Sequence, residues 1–288
     1  MTEERFQLTQ RHYGCRPLNA SLPMVAKQIA YAPHLLVGLD YDGTLTPLVD
    51  SPDNAILDPL TREAIRSLAV RPDTTVAILS GRPLDDVRNR IAVPGVIYAG
   101  NHGMEISGPG VRFVEPAAVA MMSLIDTISR FLTAQLQPIA GAIVENKSLT
   151  MSIHYRCVAA KERERLRKIV EDAVLPQEQH LRLTKGHMVY EVRPRVDWHK
   201  GYAMCWIQGQ LRTRLSLASN PLAIYVGDDE TDEDVFRSLS DGIGIKVGEP
   251  KMSSAHYFLE TPSQVREFVC WLSQDANYKV MECHNERS

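Results

Sequence analysis

The stretch HLLVGLDYDGT at residues 34–44 constrains the fold of this chain most, because a nearly continuous apolar run ends abruptly in carboxylates. A short, unbroken run of Leu and Val is typical of a strand buried on both faces of a parallel sheet. Open α/β sheets bind their ligands just outside the carboxyl ends of such strands. The stretch therefore predicts an α/β fold with a ligand site directly after residue 39.

Asp40 and Asp42 stand at this strand end with i, i+2 spacing, which in extended backbone places both side chains on one side. We therefore expect the two carboxylates to converge on one point. Their mutual repulsion is tolerable mainly where a divalent cation or a shared proton relieves it. Gly43 allows a tight turn there. A hydrated, aspartate-rich turn explains the same residues, so other segments must decide.

The same pattern of an apolar run followed by polar residues recurs along the chain. Further buried strands are predicted at 75–79, 96–99, 223–226 and 243–247. Helices are predicted at 58–69, 84–91, 202–211, 232–239 and 262–272. This alternation predicts a doubly wound, Rossmann-like parallel-sheet core with right-handed crossovers. The strand at 243–247 is expected to close the sheet.

Between residues 105 and 196 the pattern changes to helix, strand pair, helix, strand pair, which predicts an inserted α+β cap domain with an antiparallel sheet. Its predicted helices are 117–136 and 159–174, and its predicted strands are 142–146, 149–155, 181–184 and 188–192. The predicted division is an N-terminal extension (1–33, with a short helix at 22–30 and no assigned chemistry), a catalytic core (34–104 and 197–275), the cap (105–196) and a tail (276–288).

Charged residues alternate along the predicted cap strands, among them Glu145, Lys147 and Glu191. A sheet with one solvated face explains this alternation equally well. Opposite charges on a hydrophilic face are also what a site that binds sugar hydroxyls requires.

Composition excludes several classes of protein. The 288 residues carry a formal charge of -3, which provides no basic surface for nucleic acid. No apolar run approaches transmembrane length, and the charged N-terminus lacks the apolar core of a secretory signal. We therefore expect no membrane partner and a cytoplasmic location. Five scattered cysteines without a CxxC pair predict reduced thiols and argue against structural zinc.

Two motifs resemble known sites without fitting them. Gly242, Gly244 and Gly248 have the spacing of a dinucleotide fingerprint, but Glu249 and Pro250 follow where a helix should begin. The C-x5-R spacing from Cys157 to Arg163 lacks the glycines of a phosphate-binding loop. Neither motif is assigned a function.

A second carboxylate cluster, GDDETDED at 227–234, follows the predicted strand 223–226. Capping of the next helix explains Asp232 and Glu233, but it does not readily explain Asp228 and Asp229 at the strand end. Carboxylates from two neighbouring strand ends suit Mg²⁺, which prefers oxygen ligands.

These strand ends predict phosphoryl transfer to a carboxylate. Asp40 would act as nucleophile, and Asp42 would protonate the departing oxygen and later activate water. Lys200 and Ser80 would neutralise and position the phosphoryl oxygens. The expected metal ligands are Asp40, Asp42 through its backbone carbonyl, and Asp228, with Asp232 orienting Asp228 or a metal-bound water and Asp229 beside them.

Six motifs in this order resemble the trehalose-6-phosphate phosphatase family of the haloacid dehalogenase superfamily. They are DYDGTL (40–45), LSGR (79–82), GNHG (100–103), VENK (144–147), HKG (199–201) and GDDETDED (227–234). The resemblance covers roughly residues 34–250. It implies a Rossmann-like core split by a cap, a Mg²⁺ cofactor and a sugar-phosphate substrate.

The resemblance also implies roles for the residues of the matching motifs. Lys200 is a catalytic residue, and the expected phosphate-binding residues are Gly43, Thr44, Ser80, Gly81, Arg82 and Lys200. The expected substrate-binding residues are Asn101, His102, Gly103, Glu145, Lys147 and Glu191. Spacing alone favours His102 as a turn residue.

The function also has alternatives. One is a phosphatase for sucrose phosphate or a glycosyl-glycerate phosphate, and another is a non-catalytic sugar-phosphate-binding domain that regulates a synthase.

Overall fold

The computed structural model describes residues 14–49, 52–186, 188–239, 241–250 and 252–274. The strands in chain order are β1 (Arg16–Pro17), β2 (Leu35–Leu39), β3 (Thr74–Leu79), β4 (Ile97–Gly100), β5 (Glu105–Gly108), β6 (Val111–Val114), β7 (Ile143–Asn146), β8 (Met151–His154), β9 (Leu181–Gly186), β10 (Val189–Pro194), β11 (Leu222–Gly227), β12 (Ile243–Val247) and β13 (Tyr257–Leu259). The α-helices are α1 (Leu22–Tyr31), α2 (Pro59–Ala69), α3 (Leu84–Ile91), α4 (Pro116–Ala120), α5 (Met122–Leu136), α6 (Ala160–Val174), α7 (Lys200–Arg214), α8 (Glu230–Ser238) and α9 (Pro262–Gln274). None of these helices is long and apolar enough to cross a membrane.

The larger sheet has nine strands in the order β1-β13-β12-β11-β2-β3-β4-β5-β6. Pairing is parallel from β1 to β4 and antiparallel between β4, β5 and β6. The central strand β2 is buried along its whole length, as its unbroken apolar run predicts. Its Val37 packs in the core with α2 and α9, whereas Leu36 packs in the opposite core with α7 and α8. Helices therefore cover both faces, and the predicted doubly wound α/β fold is confirmed.

The second sheet is antiparallel in the order β7-β8-β10-β9. One face, which includes Ile153 and Val192, packs against α5 and α6 in a separate apolar core. Successive residues of a strand point to opposite faces, so the other face carries the alternating polar residues. One row across the four strands consists of Glu145, Ser152, Glu191 and Thr184.

Two expectations about the large sheet differ from the structure. Residues 105–114, assigned to the cap, form the hairpin β5–β6 that extends the large sheet, because β5 pairs with β4. The strand β12 does not close the sheet, since β13 and then β1 pair beyond it. The division into a core (34–104 and 197–275) and a cap (105–196) stays a prediction.

The segment predicted as an N-terminal extension contributes to the core over its described part. Leu18, Val25 and Ile29 are buried in the same apolar cluster as Val37 of the central strand. A sequence pattern alone does not reveal this, because α1 is short and its partners lie far along the chain. The tail 276–288 lies outside the described residues.

Candidate active site

Four adjacent strands, β11, β2, β3 and β4, end at one edge of the large sheet. Parallel pairing aligns their carboxyl ends, so residues far apart in sequence meet there. Asp228 follows β11, Asp40 follows β2, Ser80 follows β3 and Asn101 follows β4. The polar strand ends seen in the sequence thus form one site.

Asp40 and Lys200 form a buried ion pair at the centre of this edge. Lys200, the first residue of α7, donates from Nζ to Asp40 Oδ1 at 2.7 Å and to Asp232 Oδ1 at 2.8 Å. Burial by itself would lower the pKa of Lys200, but Asp232 and Asp40 hold that pKa well above its usual value. Lys200 is therefore a fixed positive charge beside Asp40.

Asp228 completes a group of three carboxylates with Asp40 and Asp232, and one oxygen of each lies within 4.8 Å of the others. Burial and the neighbouring Asp232 and Asp229 raise the pKa of Asp228 to about 7. Its only described side-chain donor is Thr44, whose Oγ1 donates to Oδ1 at 3.1 Å. A Cβ at residue 43 would overlap the Asp228 carboxylate, so this close approach requires Gly43, which also has φ +83.

The donor set fits a divalent cation. Three carboxylates face one ammonium within the group, so two negative charges stay uncompensated when all three ionise. Mg²⁺ favours one or two carboxylates together with waters, and Asp40 and Asp228 have oxygen atoms free for this role. Asp232 does not, because Oδ1 accepts from Lys200 and Tyr225 and Oδ2 accepts from the backbone of Asp229.

Asp42 does not converge on Asp40, contrary to the expectation from the i, i+2 spacing. Its carboxylate pairs with Arg82, which donates from Nε at 2.7 Å and from a terminal nitrogen at 2.6 Å. The backbone turns after Asp40, with Gly43 N donating to the carbonyl of Thr46 at 2.8 Å, so the extended geometry behind that expectation does not persist.

Arg82 has further contacts besides those with Asp42. It also donates to Asp86 and to the carbonyl of Pro52, both at 2.9 Å, and its guanidinium lies 5.3 Å from the ring centre of Tyr41. Burial would lower the pKa of Arg82, but its bonds to Asp42 and Asp86 raise it. A role in orienting Asp42 has more support than the predicted role in phosphate binding, because four of the five N–H donors of Arg82 are engaged in these bonds.

Asp229, expected near the metal, instead caps α8. Its Oδ1 accepts from the backbone N–H of Thr231 at 2.8 Å and of Asp232 at 3.1 Å, and the backbone N–H of Asp229 donates to Oδ2 of Asp232 at 3.0 Å. This reciprocal capping box satisfies the free N–H groups of the first helical turn. The helix-capping explanation thus applies to Asp229 as well as to Asp232.

The turn after β3 carries Ser80 and Gly81. The Oγ of Ser80 accepts from the Arg82 backbone at 3.1 Å, which closes the turn. A Cβ at Gly81 would lie 2.6 Å from Cε1 of His102. Glycine is therefore needed for the close packing of this turn against the one after β4.

The turn after β4 contains Asn101, His102 and Gly103, all with positive φ. Asn101 accepts from Thr150 at 2.5 Å and donates to the carbonyl of Lys147 at 3.1 Å. The role of Asn101 in the structure is therefore to join the core to the segment between β7 and β8. His102 reaches Glu191 of β10, with Nε2 3.2 Å from Oε2.

The three charged residues expected to bind substrate, Glu145, Lys147 and Glu191, lie close together. Lys147 Nζ lies 3.8 Å from Glu145 and 4.0 Å from Glu191, and it donates to the carbonyl of Gly81 at 3.2 Å. Burial would raise the pKa of Glu191, but His102, Arg193 and Lys147 hold it well below its usual value. Glu191 is therefore an ionised acceptor buried opposite the strand ends.

A cleft of about 200 Å³ lies between the second sheet and the strand-end edge. Residues of β9 and β10 form one wall, and residues around α7 and α8 form the other. The lining residues include Thr184, Arg193, His102, Trp198, Lys200 and Thr231. Sequence patterns did not identify Trp198, Arg193 or Tyr225 as site residues; only the proximity of Trp198 to Lys200 in the chain could have suggested it.

Comparison with known proteins agrees with this geometry. The sequence profile of the trehalose-phosphatase family matches residues 38–263. Probable trehalose-phosphate phosphatase D of Arabidopsis thaliana is 40% identical over 248 residues, which cover 82% of this chain and 66% of that protein. Trehalose 6-phosphate phosphatase RA3 of Zea mays is 39% identical over 252 residues, covering 82% and 68%. This chain thus spans about two thirds of the length of these relatives.

Among solved structures, the C-terminal domain of the C. albicans trehalose-6-phosphate phosphatase superposes with a TM-score of 0.72 at 25% identity, covering 90% of this chain and 98% of that one. The match to the sequence profile includes strands of the large sheet that precede the second sheet in the chain and strands that follow it. It also includes the whole of the second sheet and the strand-end residues described above. The chain therefore belongs to the trehalose-phosphatase family.

Proposed function

We propose that the protein hydrolyses trehalose 6-phosphate to trehalose and phosphate. The observation that carries this proposal is the buried ion pair of Asp40 with Lys200, because Lys200 also lines the cleft beside the second sheet. The relatives in plants and mycobacteria are named trehalose-phosphate phosphatases. These features together favour a phosphoric monoester hydrolase with a sugar substrate.

In the proposed first step, an Asp40 oxygen attacks phosphorus and the bond between phosphorus and the sugar oxygen breaks. The departing sugar oxygen takes a proton from Asp42. In the second step water attacks the aspartyl phosphate, Asp42 takes the proton of that water, and phosphate leaves. Asp42 must turn from Arg82 to perform either transfer, because both of its oxygens are bonded to that guanidinium.

Lys200 holds Asp40 in place and supplies positive charge for the phosphoryl oxygens, and the turn at Ser80 and Gly81 borders the same space. Asp40 and Asp228, with the backbone of Asp42, would hold Mg²⁺. Bound Mg²⁺ supplies positive charge that offsets the charge of the transferring phosphoryl group. Glu145, Lys147 and Glu191 would bind sugar hydroxyls and so exclude bulk water from the site.

Phosphate release from a panel of substrates tests this function. The panel contains trehalose 6-phosphate, sucrose 6-phosphate, glucose 6-phosphate and 4-nitrophenyl phosphate, each with Mg²⁺. We expect the highest kcat/KM for trehalose 6-phosphate. A higher value for sucrose phosphate would assign the site to another sugar, and no release from any substrate would favour a regulatory binding domain.

The first prediction concerns Asp40. Asp40→Asn is expected to abolish turnover while circular dichroism stays unchanged, because an amide is a far poorer nucleophile than a carboxylate. EDTA is expected to abolish turnover of the wild type as well. Near wild-type phosphate release by the variant, or full activity in EDTA, contradicts the mechanism.

Two related expectations belong to the same proposal. A cytoplasmic location and a functional link to a sugar-phosphate synthase rest on the sequence alone.

The C-terminal domain of a Candida albicans trehalose synthase regulatory protein shares the fold, with a TM-score of 0.66 at 14% identity. Fold by itself therefore does not separate catalysis from regulation, and the retention of Asp40, Asp42, Lys200 and Asp228 supports catalysis.

A further inference from the structure

Lys246 lies near the carboxyl end of β12 and reaches the turn after β11. The two strands are parallel, and Lys246 is in register with Gly227, the residue directly before Asp228. Its Nζ donates to the backbone carbonyl of Asp228 and, at 3.4 Å, to that of Asp229. Both carbonyls lie between the end of β11 and the start of α8. The ammonium therefore ties β12 to the turn that carries Asp228.

The chemistry of these bonds suits a role in fixing the backbone. A hydrogen bond from an ammonium group is roughly twice as strong as one between neutral groups. Lysine carries three donors on one nitrogen, so a single side chain serves both carbonyls. The two described partners of Lys246 are backbone atoms, so the side chain holds the path of the turn and does not serve to pair with a carboxylate.

The Asp228 carboxylate depends on this turn for its position. Among the described residues its side chain accepts one hydrogen bond, from Thr44 Oγ1 at 3.1 Å, whereas three donors hold Asp232. Burial, together with repulsion from Asp232 and Asp229, raises the pKa of the Asp228 carboxyl group to about 7. A carboxylate with one such contact and like-charged neighbours keeps its place only if its backbone is fixed.

We propose that Lys246 is a positioning residue for Mg²⁺ binding: it fixes the turn after β11 and so holds the Asp228 carboxylate near that of Asp40. This inference rests on the proposed function, in which Asp40 and Asp228 hold the cation. Groups that hold a metal ligand in place contribute to the affinity for the metal. Substitution of Lys246 should therefore weaken metal binding while the chemical step stays intact.

The sign of the effect separates positioning from charge. Lys246→Met keeps most of the length of the side chain and removes the ammonium. If the ammonium acted only through its charge, its removal would strengthen the binding of a cation, because like charges repel. If it acts by fixing the turn, its removal weakens the binding. Lys246→Arg keeps a charged donor and should preserve most of the affinity.

Titration of the substrate-free protein with Mn²⁺, followed by electron paramagnetic resonance and repeated in competition with Mg²⁺, measures this affinity without turnover. We expect the dissociation constants of both ions to rise about tenfold in Lys246→Met and to stay within about threefold of wild type in Lys246→Arg. Lys185→Met is the control, since it removes the same charge from β9 of the second sheet. Wild-type or tighter binding in Lys246→Met, or an equal loss in the control, overturns the inference.

Kinetics provide a second readout, on whichever phosphate ester the wild type hydrolyses fastest. The Mg²⁺ concentration for half-maximal activity should rise by the same factor in Lys246→Met, while kcat at saturating Mg²⁺ stays within about twofold of wild type. A fall in kcat that saturating Mg²⁺ does not restore overturns the inference. If circular dichroism shows that Lys246→Met is misfolded, Lys246→Gln replaces it; equal Mn²⁺ affinities of the Gln and Arg variants then contradict the proposed role.

Asp228→Asn distinguishes a failure of this inference from a failure of the proposed metal site. This variant should lose at least as much Mn²⁺ affinity as Lys246→Met. Wild-type affinity in Asp228→Asn would overturn the proposed metal site and the inference with it. Weakened binding in Asp228→Asn with wild-type affinity in Lys246→Met would overturn the role of Lys246 alone.

Discussion

Asp232 lies in the acidic cluster at residues 227–234, and its hydrogen bonds determine which role its carboxylate has. Lys200 and Tyr225 donate to its Oδ1, at 2.8 and 2.7 Å, and the Asp229 backbone donates to its Oδ2. Asp232 is fully buried. Its role is therefore to hold Lys200 against Asp40, with Tyr225 as a positioning residue behind it.

The prediction for Tyr225→Phe follows from this chain of contacts. Loss of the hydroxyl leaves Asp232 less constrained, so we expect kcat to fall roughly tenfold, with little change in KM. Because the proposed role of Lys200 is at the phosphoryl group, trehalose 6-phosphate and 4-nitrophenyl phosphate should be affected alike.

Tyr98→Phe provides the matched control. The Tyr98 hydroxyl is also buried, but it bonds to the backbone of Val93 away from the strand-end carboxylates. This variant should keep wild-type kcat. Wild-type kcat in Tyr225→Phe would show that Lys200 needs no such support.

Arg82 provides the second prediction at this scale. If the guanidinium holds Asp42 at the position from which it turns to the leaving group, then Arg82→Lys loses the paired contact that sets this position and impairs proton delivery. We expect kcat for trehalose 6-phosphate to fall at least tenfold, with a much smaller change for 4-nitrophenyl phosphate, whose leaving group needs little protonation.

The sequence-based role for Arg82, phosphate binding, predicts a different result. KM would then rise for both substrates, because both carry the phosphoryl group. Arg62→Lys is the control, since Arg62 donates only to the carbonyls of Arg90 and Ile91 among the described residues.

At the scale of elements, strand alternation in the second sheet separates an apolar face from a charged one. Buried residues such as Ile153 and Val192 face α5 and α6, whereas Glu145 and Glu191 lie in one row of the opposite face. Glu145 also binds His154 at 2.9 Å. A merely solvated face does not explain Glu191, which is largely buried and ionised.

We therefore predict that Glu145→Gln and Glu191→Gln lower kcat/KM for trehalose 6-phosphate by about one to two decades, because each loses a charge-assisted hydrogen bond to the sugar. The aryl phosphate should be hydrolysed at the wild-type rate. Glu164→Gln is the control, since Glu164 lies on α6 and pairs with Arg167. An equal loss on both substrates would remove these residues from sugar recognition.

For the whole molecule, the joint between the two sheets couples stability to pH through His102. The folded state favours the neutral ring, since the pKa of His102 falls to about 4 from its ordinary 6.5. Arg193 and Lys200 oppose its protonation, and Glu191 favours it. The contribution of His102 to stability is therefore complete above pH 6.5 and is lost progressively as pH falls toward 4.

This linkage predicts that the wild type loses roughly 2–3 kcal/mol of unfolding free energy between pH 7 and 4.5 through His102 alone. His102→Asn should lack this part of the loss. Denaturant unfolding of both proteins at the two pH values measures the difference. Equal losses in wild type and variant would show that the imidazole is not buried in its neutral form.

Much of the fold could be predicted from the sequence because its signals are local. The apolar run of β2 and the alternation along β7, β8 and β10 each predict an element and the face that it buries. The pairing of β13 and β1 could not be predicted, since strands of three and two residues carry no periodicity. The hairpin β5–β6 adjoins the core through contacts that no local pattern encodes.

The sequence by itself determined which residues stand at the strand ends, because strand length and the turn after each strand depend on neighbouring residues. The tertiary structure decided which of them touch. It separated Asp42 from Asp40 by pairing it with Arg82, made Asp229 a helix cap and buried His102 against Glu191. Side-chain partners from distant segments depend on how the sheets and helices pack, and residue spacing along the chain carries no measure of that packing.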